Sequence, residues 1–183
     1  MMKNHLNLDR WKNIFIDHIL NDIQWAIESD RNLAAAQLIL SAIDVVSGLE
    51  RPAEKDETTG DIFIRWCDAH MKLVGRSHSL TGVDLWGARC GFLHGYSPIS
   101  RQVRLQRARI LAYVDHAENP VMGAEDSPNF LIVSLRALTS LLVQGMRDSM
   151  NRINNDEVLG DLVNQRMQMM FQSIDISEKY SEL

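Results

Sequence analysis

The sequence predicts a mainly α-helical protein, a bundle of about six helices with a small two-stranded β-hairpin. Most of the chain repeats its apolar residues every three or four positions, which is the period of a helix buried on one side. One segment, 31–50, is apolar nearly all round, as expected of the central helix of a bundle. Two short β-prone runs predict the hairpin. With 183 residues, no internal repeat and no linker, the chain is expected to form one domain over residues 1–183.

Two helices are predicted in the first 50 residues. The first covers about 9–28, where apolar residues recur at helical spacing: Trp11, Ile14, Phe15, Ile19, Ile23 and Ala26. The second covers 31–50 and ends at Arg51-Pro52, because proline disfavours the helical conformation in the residue before it.

The next two helices are predicted from their ends as well as from their period. A helix over about 61–75 follows Thr58, which with Asp61 three residues later resembles a capping box. A helix over about 82–94 follows Thr81 and Asp84 in the same arrangement, and Gly95 supplies a stop.

The second half is predicted to contain the hairpin and the last two helices. The runs 110–114 and 130–133 are the expected strands, joined by a turn-rich connection. Helical period returns at 135–152 and 155–173, and the last ten residues are polar and expected to fray.

Composition narrows the class of function. The 19 lysines and arginines are opposed by 24 aspartates and glutamates, a net charge of −5, so a general polyanion-coating surface and DNA binding are not expected. The two cysteines, Cys67 and Cys90, lie in apolar helical patterns and do not suggest a disulfide framework. Neither a signal peptide nor a membrane span is expected, and we predict a cytoplasmic protein.

The segment 84–96 carries the most informative side chain, Arg89. On a helical wheel Arg89 falls in the middle of the apolar arc, so it must either meet an anion or extend its stem to the surface. The second helix offers one narrow polar stripe that either faces solvent or lines a polar site: Gln37, Ser41, Asp44 and Ser47. If the stripe is internal, Asp44 is the expected partner of Arg89.

Arg89 and His94, separated by four residues near the end of a helix, resemble the motif of the HEPN superfamily. The string from Leu85 to Pro98 (LWGARCGFLHGYSP) is similar to a subgroup of bacterial HEPN-like proteins, and the similarity extends over about 31–100. This resemblance implies a HEPN-like helical bundle and metal-independent RNA cleavage without a cofactor. It also implies a homodimer, with Arg89 and His94 as catalytic residues in a cleft at the dimer interface.

The implied chemistry suits the two side chains. A histidine with a near-neutral pKa exchanges protons with a 2′-hydroxyl or a leaving oxygen. A guanidinium holds phosphate oxygens as negative charge builds, and the expected products are a 2′,3′-cyclic phosphate and a 5′-hydroxyl. One departure is Cys90, since the position after the motif arginine is often polar in active members.

Helical geometry sets a condition on this site. Residues five apart differ by about 140° on a regular helix, so Arg89 and His94 converge only if the helix loosens near Gly95 or two subunits supply them. The resemblance favours two subunits. Gly87 and Gly91 share the flank of His94, where they admit either another helix of a partner or packing within the chain.

A basic stretch follows the motif. Arg101, Arg104, Arg107 and Arg109 are four cations with no acid among them, and Arg101 and Arg104 are the predicted phosphate-binding residues. The alternative is a solvated face paired with the acidic turn that follows it: Asp115, Glu118, Glu125 and Asp126.

Two other functions are consistent with the residues. Two pairs at helical spacing, Cys67 with His70 and Cys90 with His94, would complete a structural zinc site if they met. A non-catalytic homodimeric module with a cognate partner protein would instead keep Arg89 as a structural ion pair and His94 as an interface residue.

Overall fold

The computed structural model describes residues 5–75, 78–115, 119–124 and 127–170. Helix α1 spans 8–28 and consists of an α-helical turn (Leu8–Trp11), a π-helical stretch (Lys12–Leu20) and a second α-helical stretch (Asn21–Glu28). The remaining helices are α2 (Asn32–Leu49), α3 (Gly60–His70), α4 (Gly82–Gly95), the single turn α5 (Arg101–Arg104), α6 (Leu135–Asn154) and α7 (Glu157–Gln168). The predicted mainly helical class is confirmed, with α5 as an addition.

Helix α2 lies at the centre and contacts α1, α3, α4, α6 and α7. Its buried side chains belong to one continuous core that includes residues of all five neighbours. By length and composition α2 is the one helix in the described ranges that passes as a candidate membrane span, with a mean hydropathy of 1.5. Its central position accounts for that apolar composition, because a helix surrounded by others buries side chains on several faces.

The predicted two-stranded hairpin is wrong, because the sheet has three strands in the order β1-β3-β2. Strand β1 (Ile110–Val114) pairs parallel with β3 (Ser127–Ser134), in the register Ile110 to Phe130, and β2 (Val121–Ala124) pairs antiparallel with β3. The antiparallel partner of β3 therefore lies in the segment expected to be a turn-rich connection. Of the turn residues expected there, Asn119 and Pro120 lie just before β2, whereas Gly123 lies within β2 and Ser127 and Pro128 begin β3.

The two expected capping boxes have different outcomes. At α4 the box is complete: the Thr81 hydroxyl accepts from the Asp84 amide, and the Asp84 carboxylate accepts from the Thr81 amide. At α3 the prediction is wrong, because Thr59 precedes the helix and makes no side-chain cap. Thr58 instead places its hydroxyl against Gly48 at the end of α2.

Helix α4 ends one residue later than expected. Gly95 is the last helical residue, and Tyr96 takes the left-handed conformation with φ of 45°. The Tyr96 amide donates to the carbonyls of Gly91 and Phe92, which closes the last turn. A glycine usually occupies this position, since a side chain is disfavoured at positive φ.

The first described residues are bonded to the last two helices. The Leu6 amide donates to Asn154 Oδ1 over 3.3 Å, and the Asn7 amide donates to Asn164 Oδ1 over 2.9 Å. Asn164 returns a bond to the His5 carbonyl over 2.8 Å. The helix predicted over 155–173 ends at Gln168, and the expected frayed end lies outside the described residues.

Candidate functional site

Helix α4, which carries the motif, is fixed at its N-terminus by a buried carboxylate. Asp84 is 2% exposed and accepts from Thr81 and from the Arg109 amide and Nε, the latter two over 2.9 and 3.2 Å. Burial by itself raises the pKa of Asp84, but the hydrogen bonds from Arg109 and Thr81 outweigh it and leave that pKa below its ordinary value. Arg109, expected in the basic stretch, therefore has a structural partner.

Arg89 lies on the face of α4 that packs toward α2. Its Nη2 donates to Asp44 Oδ2 over 2.7 Å, and its guanidinium carbon lies 5.0 Å from the centre of the Trp86 ring. The side chains of Arg89 and Asp44 are 17% and 21% exposed, so this ion pair is only partly screened by water. The ion pair expected between the two helices is therefore present.

Arg89 and His94 meet within one chain. Arg89 Nη1 lies 3.3 Å from His94 Nε2, although α4 remains helical through Gly95. The arginine side chain is long, so its guanidinium reaches the His94 ring even though the two residues lie on different faces of the helix. Neither a loosened helix nor a second subunit is needed for the contact, so the condition set by the wheel is wrong.

His94 is exposed and lines a cavity of about 450 Å³, the "basic cavity". The wall opposite α4 comes from the turn after it and from α5, which Ser100 caps by accepting from the Val103 amide. Arg101 and Arg104 line the cavity together with Trp86 and Cys90. Two predicted phosphate-binding residues therefore share one cavity with the motif histidine.

The flank of α4 that carries Gly87 and Gly91 is covered by the chain itself. A side chain at Gly87 would meet Ala108, and one at Gly91 would meet the Ser97 carbonyl. Packing within the chain, rather than a partner helix, explains these two glycines.

The basic stretch divides into separate roles. Arg107 is exposed and does not line the basic cavity, and among the described residues no ion pair involves Arg101, Arg104 or Arg107. Asp115, from the acidic turn expected to neutralise the stretch, pairs with Arg136 instead. The other three acids of that turn lie outside the described residues: Glu118, Glu125 and Asp126.

The zinc alternative is contradicted by the positions of its ligands. Within the described ranges no three His, Cys, Asp or Glu side chains are grouped to hold a metal ion. Cys67 is 1% exposed in the core, and His70 faces Asp148 with Nδ1 3.6 Å from Oδ2. The two cysteine–histidine pairs therefore do not combine.

Cys90, the departure from the motif, lies on the wall of the basic cavity. Burial raises the pKa of its thiol, although the nearby Arg89 guanidinium acts in the opposite direction. The thiol is therefore neutral near pH 7, so it adds no second negative charge beside Arg89.

Sequence reasoning missed two contributors to the site. Trp86 stacks on Arg89 from one helical turn away, a spacing that the sequence displays, and Ser97 lines the basic cavity. Comparison with known proteins finds no matching family model, no matching curated protein and no matching solved structure.

Proposed function

We propose that this chain is a metal-independent RNA endonuclease of HEPN type, acting through Arg89 and His94. The observation that carries the proposal is the 3.3 Å approach of Arg89 Nη1 to His94 Nε2, because His94 lines a cavity that Arg101 and Arg104 also line. A proton-transferring imidazole, a guanidinium and two further cations can supply the proton transfer and the charge stabilisation that cleavage of a phosphodiester without a metal requires.

Each residue has a defined part in the proposed reaction. His94 removes the proton of a 2′-hydroxyl, whose oxygen attacks the adjacent phosphorus while the bond to the 5′-oxygen breaks. The leaving 5′-oxygen takes up a proton from water, and His94 then releases its own proton to solvent. Arg89 donates to the phosphate oxygens as negative charge builds on them. Asp44 positions the guanidinium, and Arg101 and Arg104 hold neighbouring phosphates. The products are a 2′,3′-cyclic phosphate and a 5′-hydroxyl.

A homodimer and a cytoplasmic location are part of the proposal. Because one chain supplies both Arg89 and His94, a second subunit adds another copy of the site rather than completing it. Exposed apolar side chains beside the motif are the surface that we assign to that contact: Leu93 and Ile99, 37% and 42% exposed.

The test is incubation with a mixed RNA pool in the presence of EDTA. Wild type is expected to cleave, and His94→Ala and Arg89→Ala are each expected to lose activity by about 100-fold or more. Arg101→Ala and Arg104→Ala should each weaken binding, whereas the matched control Arg107→Ala, on the same stretch but outside the cavity, should not. Cleavage unchanged by both His94→Ala and Arg89→Ala would contradict the proposal.

The second candidate is a non-catalytic homodimeric module that binds a cognate partner protein. The observation in its favour is that Arg89 is already bonded to Asp44 and stacked on Trp86 in the free chain, as a structural ion pair would be. An inert wild type that co-purifies with one partner, and loses it on His94→Ala, would support this function instead.

A further inference from the structure

A second cavity adjoins the basic cavity and has a different chemical character. It measures about 420 Å³, and four of its lining residues are aromatic: Phe92, Tyr96, Tyr113 and Phe130. We call it the aromatic cavity. Ser97 lines both cavities, so they meet at the turn that follows α4.

Three of the four aromatic rings are in contact, with Phe92 between the other two. The Phe92 ring centre lies 6.0 Å from that of Tyr96, edge to face, and 5.8 Å from that of Tyr113. The Tyr96 residue is 66% exposed, so its side chain is accessible to a ligand from solvent. Tyr96 also holds a left-handed backbone that a tyrosine rarely adopts, and such conformations concentrate at functional sites.

One of the aromatic residues that line this cavity, Tyr113, carries a polar atom without a partner. The Tyr113 hydroxyl is buried and makes no hydrogen bond with any described residue. Native proteins rarely leave a buried hydroxyl without a partner, and because Tyr113 lines the cavity, a ligand that packs against its ring is the candidate partner. Burial also raises the pKa of the hydroxyl, which therefore stays protonated and able to donate.

We propose that the aromatic cavity binds an unpaired nucleobase of single-stranded RNA, with a neighbouring phosphate of the same strand in the basic cavity. Aromatic faces stack on any base, and the single Tyr113 hydroxyl supplies one hydrogen bond to its edge. The shared wall at Ser97 lets one strand occupy both cavities. A base inside a duplex cannot enter, so this inference restricts the RNA substrate of the proposed function, on which it rests, to unpaired segments.

The test measures binding without cleavage. The probe is a short fluorescein-labelled RNA with 2′-O-methyl groups throughout, which blocks attack by the 2′-oxygen, compared by anisotropy with the same strand annealed to its complement. Tyr96→Leu is expected to weaken binding of the single strand by about 10-fold, because it removes one stacking face. Trp25→Leu is the matched control, since Trp25 is also 66% exposed but lies on α1.

A second variant tests the hydroxyl without removing a ring. Tyr113→Phe is expected to keep the fold, judged by circular dichroism, and to change the relative affinities for strands of each of the four bases by about 5-fold. If Tyr113→Phe bound the strands of all four bases with the affinities of wild type, the role given to this hydroxyl would be overturned.

The outcomes separate this inference from the proposed function. Equal binding of single strand and duplex, unaffected by Tyr96→Leu, would overturn the nucleobase site even if His94→Ala abolished cleavage. A preference for single strands that depends on Tyr96, in a protein that cleaves nothing, would support the nucleobase site and overturn the nuclease.

Discussion

At the scale of single residues, Asp84 connects the fold to the site. It is a charged residue with 2% exposure, and it joins the start of α4 to Arg109 at the entrance to β1. A carboxylate this deeply buried is tolerated because Thr81 and Arg109 supply its hydrogen bonds. The orientation of α4, and with it that of Arg89 and His94, therefore depends on one ionised side chain.

Replacing Asp84 by asparagine is expected to lower the free energy of unfolding at neutral pH by about 3 kcal/mol, because Arg109 loses its anion. The pKa of Asp84 is lower in the folded chain than in the unfolded one, so the carboxylate stabilises the fold above its ordinary pKa of about 4. That contribution is lost as pH falls through the lower folded value. Urea unfolding should show the gap between wild type and Asp84→Asn narrowing below about pH 4.

The matched control for this prediction is Asp17→Asn. Asp17 pairs with Lys12 at the surface, where the two side chains are 40% and 65% exposed, so its loss is expected to cost less than about 1 kcal/mol. A gap between wild type and Asp84→Asn that stayed constant from neutral to acidic pH would contradict the role given to the ionised carboxylate.

Of the two contacts of Arg89, the sequence predicted the one with Asp44 but not the one with His94 within the same chain. Asp44 was predictable because a cation on an apolar helical face requires an anion, and the neighbouring helix offers one in a narrow stripe. The contact with His94 was not, because a helical wheel records only the direction of the Cα–Cβ bond. The arginine side chain is long enough to bring its guanidinium to the His94 ring, although the two Cα–Cβ bonds point in different directions.

At the scale of elements, the turn after α4 depends on a missing side chain. The carbonyl of Ser97 occupies the space that a Cβ at Gly91 would need, and the Ser100 Cβ would lie 3.7 Å from it. This close approach brings the wall of the basic cavity, with Ser97 and Ser100, against α4.

Gly91→Ala is therefore expected to lower the free energy of unfolding by about 1–3 kcal/mol, since the turn must move away from the helix. Gly95→Ala is the matched control on the same helix: the nearest atom to its added Cβ is the Ser97 Cβ at 3.8 Å, an ordinary contact. It should raise stability by up to about 1 kcal/mol through helix propensity. Thermal and urea unfolding of both variants measure the difference, and a loss of similar size at both positions would contradict this account.

The helices were more predictable than the sheet for a physical reason. A helix forms hydrogen bonds between residues four apart, so its apolar period and its caps can be recognised within a short stretch of sequence, as at Thr81 and Asp84. Strand pairing joins distant residues, such as Ile110 with Phe130 in a parallel ladder, and local pattern does not state direction. The short strand β2 contains Gly123, which weakens any strand pattern, so its pairing with β3 was missed.

At the scale of the whole molecule, the site is contained in one chain. For the homodimeric nuclease that we propose, Arg89→Ala and His94→Ala subunits expressed together are therefore expected to remain inactive in every dimer that they form. If the pair were formed across the interface, mixed dimers would regain one intact site, and roughly a quarter of wild-type activity would return. The control is a mixture of wild type with Arg89→Ala, whose activity should be proportional to the fraction of wild-type subunits. Restored cleavage in the mixture of Arg89→Ala with His94→Ala would contradict an intrachain pair.

The bonds that tie residues 5–7 to Asn154 and Asn164 have a consequence for biosynthesis. The ribosome releases the chain from its N-terminus, so α1 emerges before α6 and α7, and these bonds form only after both helices have been made. During that interval α2 lacks α6 and α7, two of the helices that cover it. The nascent chain thus carries this apolar helix partly uncovered until α6 and α7 have been made, and slow translation of residues 135–168 would prolong its exposure to chaperones and to other nascent chains.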